Sequence, residues 1–240
     1  MAYDLSEKTV VITGGVGNVG GGITRVLYEA GARLALVDLS ADKLADFINT
    51  GGFDTARCKG FPTDLSDPAE VDKLIDHVVD AYGQIDALVH TVGGFAMGDP
   101  VHAGNVAVFD KMMALNARTL YLVAGRFASY MVDTATPGSI TLLLAQAGQT
   151  GGKNKAAYTA SKAAAIRIME SMAAELRENH VRVNGISPST VDTPINRKEM
   201  PDANFDRWVK PDDIGNLAAF LISDEAAAIT GSDIAISGRA

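Results

Sequence analysis

The stretch from Lys8 to Asp38 constrains the fold most. Lys8 to Thr13, K-T-V-V-I-T, is rich in β-branched residues and reads as a buried strand. It breaks into T-G-G-V-G-N-V-G-G-G from Thr13 to Gly22, then into I-T-R-V-L-Y-E-A-G-A, a helix pattern stopped by Gly31. Arg33 to Val37 is a second strand and ends at Asp38. Strand, glycine turn, helix, strand and terminal acid within about 30 residues form the unit that binds a dinucleotide. Gly14, Gly15 and Gly20, with Asn18 and Val19 between them, let the backbone approach a pyrophosphate. The following helix start adds N–H groups and a positive dipole end. Gly21 and Gly22 are expected to serve helix–strand packing instead. A carboxylate at Asp38 can bond the ribose hydroxyls and repels a 2′-phosphate. Leu39 follows it, and no Arg or Lys lies in the glycine turn, so the expected cofactor is NAD(H) in preference to NADP(H). The competing role for Asp38 or Ser40 is to cap the next helix.

The alternation continues. Residues 41–49 read as a helix, 56–62 as a strand ending in T-D-L, and 67–82 as a helix with a capping Asp67 and Pro68 at its start. Strands follow at 85–90, 139–144, 181–187 and 233–237, with a long helix at 106–131 and another at 214–222. Strands alternating with helices predict a Rossmann-type, doubly wound parallel sheet of about seven strands with helices on both faces. The chain is expected to be one domain, residues 1–100 mainly holding cofactor and 101–240 carrying catalysis and substrate. Ligands of such sheets bind beyond the carboxyl ends of the strands. The glycine turn, Asp38, Asp64, Gly93 and the 145–150 loop are all such ends.

Composition removes other classes. The net charge of −8 argues against nucleic acid, which needs an excess of Lys and Arg on one face. No apolar run approaches about 20 residues, so no membrane span is expected. The start, M-A-Y-D-L-S-E-K, has no apolar core like that of a signal peptide. A single cysteine, Cys58, excludes an intramolecular disulfide and fits a reducing, cytoplasmic setting, where it packs as a small hydrophobe. The four His residues show no metal-ligand spacing, and no metal is assigned.

Tyr158 and Lys162 lie four apart at the start of the alanine-rich stretch A-S-K-A-A-A-I-R-I-M-E-S-M-A-A-E-L. Residues at that spacing share a helix face. A phenol with a pKa of about 10 is a poor proton carrier at neutral pH, and a neighbouring cation favours its phenolate. The pair is a candidate general acid/base with its tuning charge built in.

Beyond the glycine turn, T-D-L at Thr63 to Leu65, G-Q-I-D-A-L-V at Gly83 to Val89, Asn116, Y-T-A-S-K at Tyr158 to Lys162, V-R-V-N-G-I-S-P at Val181 to Pro188, V-D-T-P at Val191 to Pro194 and the tail I-T-G-S-D-I-A-I-S-G stand in order. In this set the sequence resembles the short-chain dehydrogenase/reductase family over nearly its whole length. The resemblance implies that Tyr158 exchanges a proton with the substrate oxygen. Lys162 would lower its pKa and bond the nicotinamide ribose, and Asn116 would hold a relay water, the alternative being a polar kink in a helix. It also implies Asp64 and Leu65 at the adenine, with a helix cap as the alternative for Asp64. Gly93 would lie against the cofactor, and Pro188, Val191 and Thr193 near the carboxamide, with a plain turn residue as the alternative for Thr193. The implied chemistry is hydride transfer between nicotinamide and a carbonyl or conjugated C=N/C=O substrate. The family's dimers and tetramers imply a homodimer or homotetramer packed through the long helices, the 106–131 face among them.

Three departures matter. Asn18 replaces the usual second glycine, and Asn tolerates left-handed backbone. His90-Thr91-Val92-Gly93 replaces the usual N-N-A-G, with His90 expected as a satisfied core residue. Ala145 stands thirteen residues before Tyr158, where the family has its catalytic Ser. Losing one such donor typically costs about 10²–10³ in rate. Gln146, Gln149 or Thr150 could supply the donor. A quinonoid substrate could need it less, since the dihydropteridine reductase branch lacks the Ser and is similar in T-L-L-L-A-Q-A-G and V-G-G-F-A-M-G. Or the protein could be a nucleotide-binding sensor or scaffold with little turnover. The substrate pocket is expected between Phe95, Met97, Ala145, Gln146, Gln149 and Tyr158, under a mobile loop at 195–208.

Overall fold

The β-branched runs pair into one parallel sheet, described here from a computed structural model covering residues 3–239. Its strands are β1 (Thr9–Thr13), β2 (Arg33–Asp38), β3 (Cys58–Pro62), β4 (Ala87–His90), β5 (Gly138–Leu143), β6 (Val181–Pro188) and β7 (Asp233–Ile236), in the order β3-β2-β1-β4-β5-β6-β7. Neighbours are parallel throughout, with Val10 beside Leu34 on one side and Ala87 on the other. The order reverses between β1 and β4, which opens a crevice at their carboxyl ends.

Alternation along each strand feeds two cores. Val11, Leu88 and Ile140 face α3 (Pro68–Tyr82), α5 (Thr119–Asp133) and α6 (Ala156–Glu175). Val10, Ile12 and Val89 face α1 (Gly20–Glu29), α2 (Ala41–Thr50) and α8 (Pro211–Ile222). Burial on both faces is why these strands read as continuous apolar runs. At Gly22 a side chain would run into Pro211 of α8, so this glycine serves packing against a helix and not, as expected, against a strand.

The long helix expected at 106–131 is α4 (Val106–Met113) and α5 joined through a π-helical turn, Ala114–Arg118. Leu120, Val123, Phe127 and Met131 of its apolar face lie against the chain's own sheet. That corrects the expectation that this face awaits a partner; its exposed apolar residues are Val106, Phe109, Tyr121 and Val132. α8 starts at Pro211, three residues before the expected start, because Asp213 accepts the Lys210 N–H at 3.2 Å and nucleates the first turn. The segment expected as a loop at 195–208 contains α7 (Pro194–Glu199) and buries Trp208. Thr193 caps α7 and Arg197 makes a bidentate pair with Asp192 at 2.6 and 2.8 Å.

Phe127 is fully enclosed between α5 and the sheet. Phe127→Ala is expected to lower unfolding stability by about 3–5 kcal/mol, with the denaturant midpoint as readout.

Candidate active site

Six strand ends line one cleft. At the end of β1, Gly14 has φ +70°, and a Cβ there would stand 2.7 Å from Thr91 Oγ1. Thr91 holds the two central strand ends together by donating its hydroxyl to the Thr13 carbonyl at 2.7 Å. Gly14 therefore meets both the backbone and the space requirement for glycine. Asn18 has no positive φ, so its tolerance of left-handed backbone, expected to preserve the turn, is not called upon.

Asp38 closes β2, where its Oδ1 accepts the Ser40 N–H at 3.1 Å. Ser40, and not Asp38, caps α2 by accepting the Lys43 N–H at 3.3 Å. Leu39 beside it is 73% exposed, an apolar surface at the mouth of the cleft. After β3, Asp64 accepts the Ser66 hydroxyl at 2.7 Å and the Ser66 N–H at 2.9 Å, bonds that hold its carboxyl below the usual range. The cap of α3 is Asp67. Leu65 buries its side chain in the core, which leaves only its backbone for the cleft.

α6 builds the reactive end. Its sheet-facing stripe contains Ala165, Ile166, Met169 and Ala173. Lys162, one turn before Ile166 on that stripe, is carried under the sheet's edge, and Tyr158, one turn earlier still, stands at the rim. The Lys162 ammonium donates to the Leu143 carbonyl at 3.1 Å, and burial pushes its pKa down to about 8. Burial also raises the Tyr158 phenol above its usual value. This is opposite to the lowering expected from Lys162: in this arrangement the ammonium serves the Leu143 carbonyl, and desolvation dominates at the phenol. Phe95 stands edge-on to Tyr158 with ring centroids 4.9 Å apart, and Met97 nearby in sequence is 54% exposed. The ammonium of Lys155 lies 6.0 Å from the Phe95 ring.

Asn116 sits in the π turn, where the extra residue rotates its amide out of the helix ladder. It accepts the Gly94 N–H at 2.8 Å and donates to the Gly94 carbonyl at 3.0 Å and to Ser161 Oγ at 2.9 Å. Ser161 in turn donates to the Tyr158 carbonyl at 2.7 Å. A Cβ at Gly93 would stand 2.8 Å from Asn116 Oδ1 and 3.3 Å from Lys162 Nζ, so the glycine is what lets these groups close up. Ser161 was visible only as part of Y-T-A-S-K, and nothing in spacing alone marks it as the tie between Asn116 and the Tyr158 turn.

Ala145 is 6% exposed and extended, with a methyl where a hydroxyl was sought. Both glutamine amides are engaged within the chain. The Gln146 amide nitrogen lies 2.9 Å from Ser237 Oγ and 3.3 Å from the Ser187 and Ile236 carbonyls. Gln149 donates to Asp233 Oδ2 at 3.1 Å. Both amides tie edge strand β7 to the post-β5 loop. Thr150 is exposed beyond them. Pro188 ends β6, Val191 is buried in the core, and the Thr193 hydroxyl accepts the Asn196 N–H at 3.2 Å. Among the described residues no group of His, Cys, Asp and Glu could hold a metal ion, and no helix is long and apolar enough to cross a membrane.

Residues 15–238 match the family model described as enoyl-(acyl carrier protein) reductase. The chain is 31% identical over 245 residues to D-threitol dehydrogenase of Mycolicibacterium smegmatis, covering 98% of this chain and 94% of that one. It is 30% identical over 255 residues to 2-(S)-hydroxypropyl-CoM dehydrogenase 3 of Xanthobacter autotrophicus, covering 99% and 98%. A solved short-chain type dehydrogenase/reductase from Mycobacterium ulcerans superposes with a TM-score of 0.92 at 26% identity, covering 99% of this chain and 90% of that one.

Lys162 carries a testable linkage. Its folded pKa lies near 8 against 10.5 for the free side chain, so folding opposes its charge at every pH below about 8. That opposition fades as pH rises from about 8 to 10.5. Lys162→Met is expected to raise stability at pH 7 by on the order of 1–3 kcal/mol, with the gain shrinking across that alkaline window in denaturant titrations.

Proposed function

The chain belongs to the short-chain dehydrogenase/reductase family, and from that membership we propose that it is an NAD(H)-dependent oxidoreductase acting on a small carbonyl or alcohol. The observation that carries the reading is Tyr158 at the rim of the cleft with Lys162 buried one turn behind it. Nicotinamide supplies the hydride chemistry when it is bound. The donor set fits a dinucleotide: the tight turn at Gly14, the free edge of the Asp38 carboxylate for ribose hydroxyls, and Leu39 as an apolar surface for adenine. Gly93, where a Cβ would fill the space before Asn116 and Lys162, fits the same group at its other end.

Each residue then has a physical task. Tyr158 gives or takes the proton at the substrate oxygen. Lys162 biases that proton through its charge and offers an N–H to the nicotinamide ribose. Asn116 and Ser161 fix the Tyr158 turn relative to the loop after β4. Phe95 and Met97 form an apolar wall on the substrate side, and α7 with the segment to Trp208 forms its outer cover. With Ala145 in place of a hydroxyl, Tyr158 works without a second side-chain donor from that position. The alcohol and polyol-type substrates in the relatives' names favour a carbonyl/alcohol couple over a quinonoid pterin. Keeping Tyr158, Lys162 and Asn116 together favours turnover over a nucleotide sensor. We further propose a cytoplasmic homo-oligomer, with exposed Val106, Phe109, Tyr121 and Val132 on α4 and α5 as its contact residues.

The deciding experiment is NADH oxidation against a panel of ketones, 3-oxoacyl thioesters and a quinonoid dihydropterin. Ketone turnover is expected; NADH binding with no turnover on any member would overturn the assignment. Tyr158→Phe is expected to keep NADH affinity while turnover falls to near background, and persistent activity would remove Tyr158 from the chemistry. Asp38→Ala should narrow the ratio of NADH to NADPH affinity, measured by fluorescence titration; an unchanged ratio would refute the ribose contact.

A further inference from the structure

His90, the last residue of β4, is fully buried, and its ring is held on one side only. Nδ1 lies 2.8 Å from Thr13 Oγ1, while Nε2 has no hydrogen-bond partner among the described residues. The ring projects to the α5/α6 face, because Leu88, two residues earlier on the strand, lies in that core. The Lys162 ammonium ends on the neighbouring strand, beyond direct hydrogen-bond distance of Nε2. It donates to the carbonyl of Leu143, whose predecessor Leu142 is the β5 neighbour of His90. Adjacent strands are only about 4.8 Å apart. From the loop above, a Cβ at Gly93 would stand 3.3 Å from Nζ.

We propose that His90 is a positioning residue for Lys162: its Nε2 lone pair accepts a hydrogen bond from one buried water that the ammonium in turn donates to, and this relay holds that charge behind Tyr158. The inference rests on the acid/base reading of Tyr158 and Lys162. An ammonium has three donors and no acceptor. One goes to Leu143, one to the water that His90 holds, and one is left for a ribose hydroxyl, which accounts for all three. The imidazole stays neutral, since burial first and the Lys162 charge second drive its pKa down to about 3. A neutral ring beside a cation turns its lone pair toward it, so the proton resides on Nδ1 and is donated to Thr13 Oγ1. The groups facing Lys162 are Tyr158 from α6, His90 from β4, the Leu143 carbonyl from β5 and the Asn116 amide from the π turn. Of these, only Tyr158 and His90 titrate.

The full chain, labelled with 15N-histidine and 13C-lysine, tests this by NMR without a substrate. The expected result is the Nδ1–H tautomer at His90; a proton on Nε2 would overturn the proposal. His90→Asn keeps a donor at the Nδ1 position but has nothing at Nε2, so the Lys162 pKa should fall by roughly half a unit or more. His90→Gln places an amide near Nε2 and should hold the Lys162 pKa closer to the wild type. An unchanged value in His90→Asn, or equal shifts in both variants, would also overturn it. The tautomer measurement on the wild-type chain stands even if a variant fails to fold. Activity surviving in Tyr158→Phe would refute the acid/base reading while leaving these NMR outcomes intact.

Discussion

The burial of one ammonium group organises the catalytic half of this molecule. Lys162 is 6% exposed, and its stable partner is a backbone carbonyl at the end of β5. A charge in that position is unfavourable unless donors and acceptors around it are fixed in advance. The π turn at Asn116, the glycine at 93 and the Ser161 hydroxyl can all be understood as making a compact polar shell at this point. The Asn116 amide and the Ser161 hydroxyl bind backbone or each other rather than a charge, so among the described residues the ammonium has no carboxylate partner.

On the opposite side of the cleft, the chain uses its polar side chains for architecture. Gln146 and Gln149 bind β7 to the post-β5 loop, and β7 needs such ties because it is a four-residue edge strand with only β6 beside it. Arg182 plays a comparable role at the far end of the sheet, donating to the Leu221, Ile222 and Ser223 carbonyls that end α8. Beside these ties the loops after β4 and β5 present carbon: the Ala145 methyl, the Phe95 ring edge-on to Tyr158, and Met97.

Most of the fold was legible because each signal was local. β-Branched runs, capped amphipathic helices and the glycine turn fix the element order, and parallel alternation then fixes the sheet. The boundaries that moved did so for reasons of single hydrogen bonds, as at Asp213 and α8. Helical spacing puts Tyr158 and Lys162 on one face of α6, and motif order singles out Asn116, which lies in the π turn. What sequence could not reveal were long-range hydrogen bonds. Gln149 to Asp233 and Gln146 to Ser237 span most of the catalytic half, and no periodicity predicts that an amide will serve an edge strand instead of a ligand. The direction of the Tyr158 shift was missed for a related reason: spacing shows that a cation is near, but not which acceptor it prefers or how dry the phenol becomes.

The phenol's environment also bears on why Ala145 can be tolerated. A hydroxyl at that position would share the substrate oxygen with Tyr158 and spread the developing charge over two donors. Without it, the stabilisation must come from one phenol whose strength depends on the field behind it. Burial alone makes that phenol a weaker acid, so the Lys162 charge has to offset desolvation before it can help catalysis. The geometry suits this requirement: helical spacing fixes the distance from ammonium to phenol, and the Leu143 carbonyl and Asn116 shell prevent the lysine from retreating to solvent. A site of this design depends on the rigidity of α6 more than a two-hydroxyl site would. The twenty-residue length of that helix, pinned by Ala165, Ile166, Met169 and Ala173 against the sheet, supplies it.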